Sequence, residues 1–164
     1  MKFIFLPLVL LSLNLFSGDT VFEDLLDEFT DKRQISIGLV GDEHVSYSSE
    51  LILIYCADGR DPIMGIQKGI LIGLNSNPSI TLRFDKNKPI TEEFSYNSSQ
   101  DILFTFDRDF MTSFLNNLRN SNNLIVKIQG KSEIMRFTDL DNSKKHVAEF
   151  INAASEMPSS CDLF

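Results

Sequence analysis

Leu51-Ile52-Leu53-Ile54-Tyr55-Cys56 is an unbroken apolar and aromatic run, and Ala57-Asp58-Gly59 ends it abruptly. Its shortness, its isoleucines and the Asp-Gly turn behind it read as a β-strand. Apolar residues on both faces predict a central strand covered on both sides. Similar short segments lie before and after it, at Ile35–Val40, Ile63–Ile66, Gly69–Leu74, Ile80–Phe84, Ile90–Tyr96 and Ile102–Phe106. Turn chemistry separates them, for example Gly41-Asp42, Asn75-Ser76-Asn77-Pro78 and Asp85-Lys86-Asn87-Lys88-Pro89. Short strands joined by tight turns pair antiparallel, because a parallel return needs a long crossover. In Ile80-Thr81-Leu82-Arg83-Phe84 the alternation sends Ile80, Leu82 and Phe84 inward and Thr81 and Arg83 outward.

Helical spacing appears three times. Val21, Phe22, Leu25, Leu26 and Phe29 fit a helix over Thr20–Phe29, with Thr20 and Glu23 as a capping box. Phe110, Met111, Phe114, Leu115 and Leu118 form the stripe of a helix beginning near Asp107 or Asp109. Val147, Phe150, Ile151 and Ala154 mark a last helix from Asp141 or Ser143, stopped by Pro158. Between these two, Leu124–Gln129 and Glu133–Thr138 read as a hairpin across Gly130-Lys131. The expected class is α+β: a mainly antiparallel sheet, curved or folded into a sandwich, with two packing helices in the C-terminal half.

The N-terminus reads as a secretory signal peptide over residues 1–17. Lys2 precedes the apolar run Phe3 to Leu11, and the small residues Ser17 and Gly18 follow. Residues 18–164 then read as one globular domain. No later stretch is long and apolar enough to span a bilayer after signal cleavage. A net charge of −8, without a basic patch interleaved with aromatics, argues against nucleic acid as a partner. Cys56 and Cys161 are the only cysteines, and an even pair in an exported chain reads as one disulfide. It closes a loop of about 100 residues, which the chain-entropy model values at about 4–5 kcal/mol. Two unpaired buried thiols are the plain alternative. No Cys or His stands at ligand spacing to either cysteine, so the sequence offers no metal site, and no cofactor motif appears.

Few residues carry chemistry. Asp58-Gly59-Arg60-Asp61 could supply two carboxylates for hydrolysis, and its plainer reading is a polar turn. His44 beside Glu43 could act as a general base, but no serine nucleophile elbow accompanies it. His146 sits among lysines on the polar side of the last helix, where solvation is the default. Gly65, Gly69 and Gly73 recur every four residues without a phosphate-loop ending, and read as a turn and close strand packing. Asn97-Ser98-Ser99 matches a glycosylation sequon.

From Ser49 to Cys161 the chain resembles a set of exported bacterial proteins, the type VI secretion-associated VasI-like proteins and, more distantly, the invasion-associated locus B proteins. The resemblance rests on Leu53-Ile54-Tyr55-Cys56-Ala57-Asp58-Gly59, then Leu82-Arg83-Phe84-Asp85, then Phe114-Leu115-Asn116-Asn117-Leu118. Met135-Arg136-Phe137 and a helix leading to Cys161 complete the order. It implies a periplasmic, mostly antiparallel domain with the cysteine pair bonded and no catalytic residues.

These readings converge on an exported, non-catalytic protein, periplasmic or secreted, whose partner is a protein of the envelope or outside the cell. The expected contact loops are Asp58, Arg60 and Asp61 together with Asp85, Lys86 and Lys88. A small-molecule or lipid carrier using the 14 phenylalanines is one alternative. An exported hydrolase using Asp58, Asp61 or His44 is the other.

Overall fold

Tight turns and long-range antiparallel pairing, rather than local propensity, decide the architecture of the computed structural model. It describes residues 20–41, 50–68, 78–99, 101–129, 134–157 and 160–163. The expected signal peptide, His44, the strand Gly69–Leu74, the Gly130-Lys131 turn and Pro158 lie outside them. Among the described residues there are ten strands, β1 (Thr20–Asp27), β2 (Lys32–Val40), β3 (Glu50–Ala57), β4 (Ile63–Lys68), β5 (Ser79–Phe84), β6 (Ile90–Glu93), β7 (Ser95–Tyr96), β8 (Ile102–Thr105), β9 (Leu124–Ile128) and β10 (Ile134–Phe137). Two α-helices complete the set, α1 (Arg108–Leu118) and α2 (Ser143–Ser155), with a short 3₁₀ turn at Leu140–Asn142.

The strands form two wholly antiparallel sheets, one of six in the order β1-β2-β3-β4-β8-β7 and one of four in the order β10-β9-β5-β6. The class is α+β, with both helices in the C-terminal half, as the sequence predicts. One core serves both sheets. Ile35, Ile37, Ile52, Ile54 and Met64 reach it from the six-stranded sheet, and Ile80, Leu82, Phe84, Val126 and Phe137 from the four-stranded one. Edge-to-face rings hold the helices on the sheets: Phe84 of β5 on Phe114 at 5.6 Å, Phe94 between β6 and β7 on Phe110 at 5.8 Å, and Phe22 of β1 on Phe150 at 6.4 Å. The Asp107 carboxylate accepts from the Phe110 amide at 2.8 Å and so caps α1.

Three expectations change. Residues Thr20–Asp27 form strand β1, not a helix, and pair with β2 from Thr20↔Leu39 to Asp27↔Lys32. The turn is what overrides the helical spacing. Asp27 accepts from the Phe29 amide at 2.9 Å, and Asp31 adopts the left-handed conformation (φ 53°) that reverses the chain into β2. Next, Ile90–Tyr96 is not one strand. It breaks at buried Phe94, so that β6 belongs to the four-stranded sheet and β7 to the six-stranded one. Last, β3 is central but fully buried on its inner face alone. Ile52, Ile54 and Cys56 are sealed, while Leu51, Leu53 and Tyr55 are half-buried outside. There the Leu51 and Leu53 methyls lie over Gly38, at 3.6 and 3.7 Å from where a side chain would begin.

Candidate functional site

The turn between β3 and β4 is held from three directions. The Asp58 carboxylate accepts from the Arg33 amide at 2.9 Å, and the Asp58 amide donates to the Arg33 carbonyl at 3.0 Å. Gly59 takes φ 74°, and its amide donates to Ser160 Oγ at 2.8 Å. Asp61 pairs with Arg108 at 2.8 Å, and Arg108 also donates to the Asp162 carbonyl. Beside these contacts the Cys56–Cys161 disulfide joins β3 to the C-terminal segment, with Cα atoms 5.5 Å apart. Thr112 Oγ1 donates to the Leu163 carbonyl, so the segment is tied along α1 as well. A cleft of about 310 Å³ opens next to the turn, between Asp27, Lys32, Tyr55, Asp58 and Arg60. Burial pushes the Tyr55 hydroxyl above its ordinary pKa, and that hydroxyl donates to Gln34 Oε1 at 2.9 Å.

The second expected loop, Asp85–Lys88, turns β5 into β6. Asp85 is left-handed (φ 47°), and its carboxylate accepts from the Asn123 amide at 3.0 Å and from Asn123 Nδ2 at 3.1 Å, with the Asn122 amide further out. The Asn123 side chain, followed by these amides, holds the carboxyl below its ordinary pKa. Lys86 and Lys88 project into solvent. Lys86 borders a cleft of about 520 Å³ whose other charged walls are Arg83, Asp85 and Arg136, with Ile125 among its apolar residues. The strand register explains this grouping. Arg83 of β5 and Arg136 of β10 are both opposite Ile125 of β9, so all three share the outer face of the sheet.

The two loops do not meet. Asp61 engages the first residue of α1, and Asp85 engages the chain just beyond its last turn. The 11-residue helix, about 16 Å long, lies between the two contacts. Asp58 is spent on a main-chain amide and Asp61 on an arginine. Burial raises the carboxyl of Glu92 instead, with the charge of Asp107 adding to the effect. His146 corrects another expectation. It is half-buried, and its Nδ1 is shielded from solvent without a hydrogen-bond partner among the described residues. Among the described residues no group of three or more His, Cys, Asp or Glu is placed to hold a metal, and no helix is long and apolar enough to cross a membrane.

Two residues expected on the apolar stripe of a helix are instead the most exposed apolar side chains among the described residues. Phe29, at the tip of the β1–β2 hairpin, is 98% exposed, and Leu26 beside it is 63% exposed. Leu26 lies on the edge strand β1 and Phe29 in the turn that follows it, where a helix is expected from the apolar spacing. The alternation of β5 sends Arg83 outward, and nothing local in the sequence signals that β9 sets it beside Arg136.

Comparison by sequence finds no matching protein family and no matching curated protein. By structure the chain is similar to invasion associated protein B from Bartonella henselae, at 12% identity and a TM-score of 0.47, over 86% of this chain and 99% of that one.

Proposed function

We propose that this chain is an exported, non-catalytic protein that acts by binding a protein partner outside the cytoplasm. The observation that carries the reading is the hairpin tip. A phenylalanine standing wholly in water gives nothing to the fold, and aromatic side chains are favoured anchors at protein interfaces. Leu26 extends the exposed apolar surface along β1, whose outer edge is unpaired among the described residues and can also accept a partner's strand. The disulfide supports an oxidising compartment. Asp58, Asp61 and Asp85 serve the fold, so the contact surface is assigned to the hairpin, with Arg60 on the neighbouring turn.

The test uses the full chain exported to an oxidising compartment, with wild type compared against the Leu26→Ser/Phe29→Ser variant by cross-linking and mass spectrometry. Both residues are exposed, so the variant should melt within about 4 °C of wild type, since such surface changes cost no more than about 0.5 kcal/mol each. A cross-linked partner that disappears in the variant is the expected result. The same partner captured equally by both proteins removes the hairpin as the contact surface. No partner for either removes the binding reading.

A further inference from the structure

We propose that the cleft on the outer face of the four-stranded sheet binds a phosphomonoester, with its phosphoryl group held by Arg83, Arg136 and Lys86 and its carbon skeleton lying on Ile125. The site is independent of the hairpin surface.

Register is the first ground. Arg83 and Arg136 flank Ile125 across two strand spacings, which puts their Cα atoms about 10 Å apart on one face. Two long side chains rooted at that distance can close on one group from both sides. The second ground is that both guanidiniums are unused. Among the described residues neither has an ion pair or a hydrogen bond, although the chain carries 23 acidic residues against 15 basic ones. Arg33 and Arg108, by contrast, each hold carboxylates.

Local charge is the third ground. Three cations face a single carboxylate, and that carboxylate, Asp85, is directed to the Asn122 and Asn123 amides. A chain with net charge −8 thus presents a positive cleft. A carboxylate ligand has two oxygens, which one guanidinium fork can saturate. Two forks and an ammonium suit the three terminal oxygens and roughly −1.5 to −2 charge of a phosphomonoester. Half-buried Ile125 gives an apolar floor, and Asn87 at the rim can meet hydroxyl groups. About 520 Å³ is room for a small organic ligand.

A phosphomonoester can be a free metabolite or a lipid headgroup, and the experiment separates the two. Glycerol 3-phosphate is titrated calorimetrically into the disulfide-bonded full chain, with succinate as comparator. Vesicles of phosphatidic acid in phosphatidylcholine are tested by flotation. Saturable binding of glycerol 3-phosphate, at least tenfold tighter than succinate and at least tenfold weaker in both Arg83→Gln and Arg136→Gln, supports the site. The two arginines stand on separate strands and are exposed, so each variant checks the other against misfolding, and unchanged melting confirms the fold. Flotation of wild type but not of the double variant identifies a lipid headgroup as the source. Soluble binding without flotation identifies a free ester. Absence of both, unchanged binding in the two variants, or succinate binding as tight as the ester overturns the proposal.

Discussion

Arg33 donates from Nη1 to the Glu156 carboxylate at 2.6 Å, joining β2 to the end of α2 across 123 residues of sequence. The same guanidinium grips Asp24 of β1 through Nε at 2.9 Å and Nη2 at 2.7 Å. One side chain thereby ties an edge strand, its neighbour and a helix.

Replacing Arg33 with Leu should lower stability at pH 7 by about 1 kcal/mol, the upper range for exposed pairs, since the fork serves two carboxylates. The hydrogen bond from Arg33 holds the Asp24 carboxyl below its ordinary value of 3.8. A carboxyl depressed in the folded state stabilises above its unfolded pKa and loses that contribution as pH falls through the folded one. The gap between wild type and variant in urea denaturation should therefore be full at pH 6–7 and shrink below about pH 4. An equal gap at pH 3 would count against the pairing.

Removing the cross-link by Cys56→Ala/Cys161→Ala should cost about 2–5 kcal/mol, because the loop it closes spans 105 residues. Ser160, Cys161 and Leu163 are buried, so the C-terminal segment should also lose protection in hydrogen exchange ahead of the sheets. Thermal melts with and without reductant give the first number. Exchange mass spectrometry gives the second.

Phe84 and Phe114 are each about 1% exposed and meet edge to face. Truncating either to Ala should cost about 3–5 kcal/mol. Leu in place of each ring should give a double-mutant coupling of about 0.5–1.5 kcal/mol. Chemical denaturation of the four proteins measures it, and a coupling of zero would mean that the rings are merely neighbours.

Asp85 combines a left-handed backbone with a carboxylate that satisfies the loop after α1. Asn tolerates that conformation and keeps one acceptor, whereas Val tolerates neither the conformation nor the role. Asp85→Val should therefore destabilise by at least about 1–2 kcal/mol more than Asp85→Asn in the same denaturation assay.

Where neighbours in sequence decide the structure, the sequence was enough. The alternation of Ile80, Leu82 and Phe84 against Thr81 and Arg83 is the burial pattern observed in β5, and the apolar stripe from Phe110 to Leu118 is the buried face of α1. Thr20–Phe29 failed because its apolar spacing suits a helix, while its strand is fixed by a turn built on two aspartates. Phe94 gives no local sign that the chain changes sheets there. Most of the cleft was beyond reach for the same reason. Arg83 and Arg136 are 53 positions apart, and only the placement of β9 between β5 and β10 makes them neighbours.

The strand order also sets a timetable. β4 must wait for β8, and in between the chain leaves to lay down β5 and β6, whose sheet in turn waits for β9. A ribosome that has released the first hundred residues has therefore made neither sheet whole, and such non-local pairing is intrinsically slow. The four sequential strands β1 to β4 can pair as they appear, whereas the joins of β4 to β8 and of β5 to β9 come only with the second half of the chain. Cys161 follows every described strand, so the cross-link to β3 encloses all the described strands from β4 to β10.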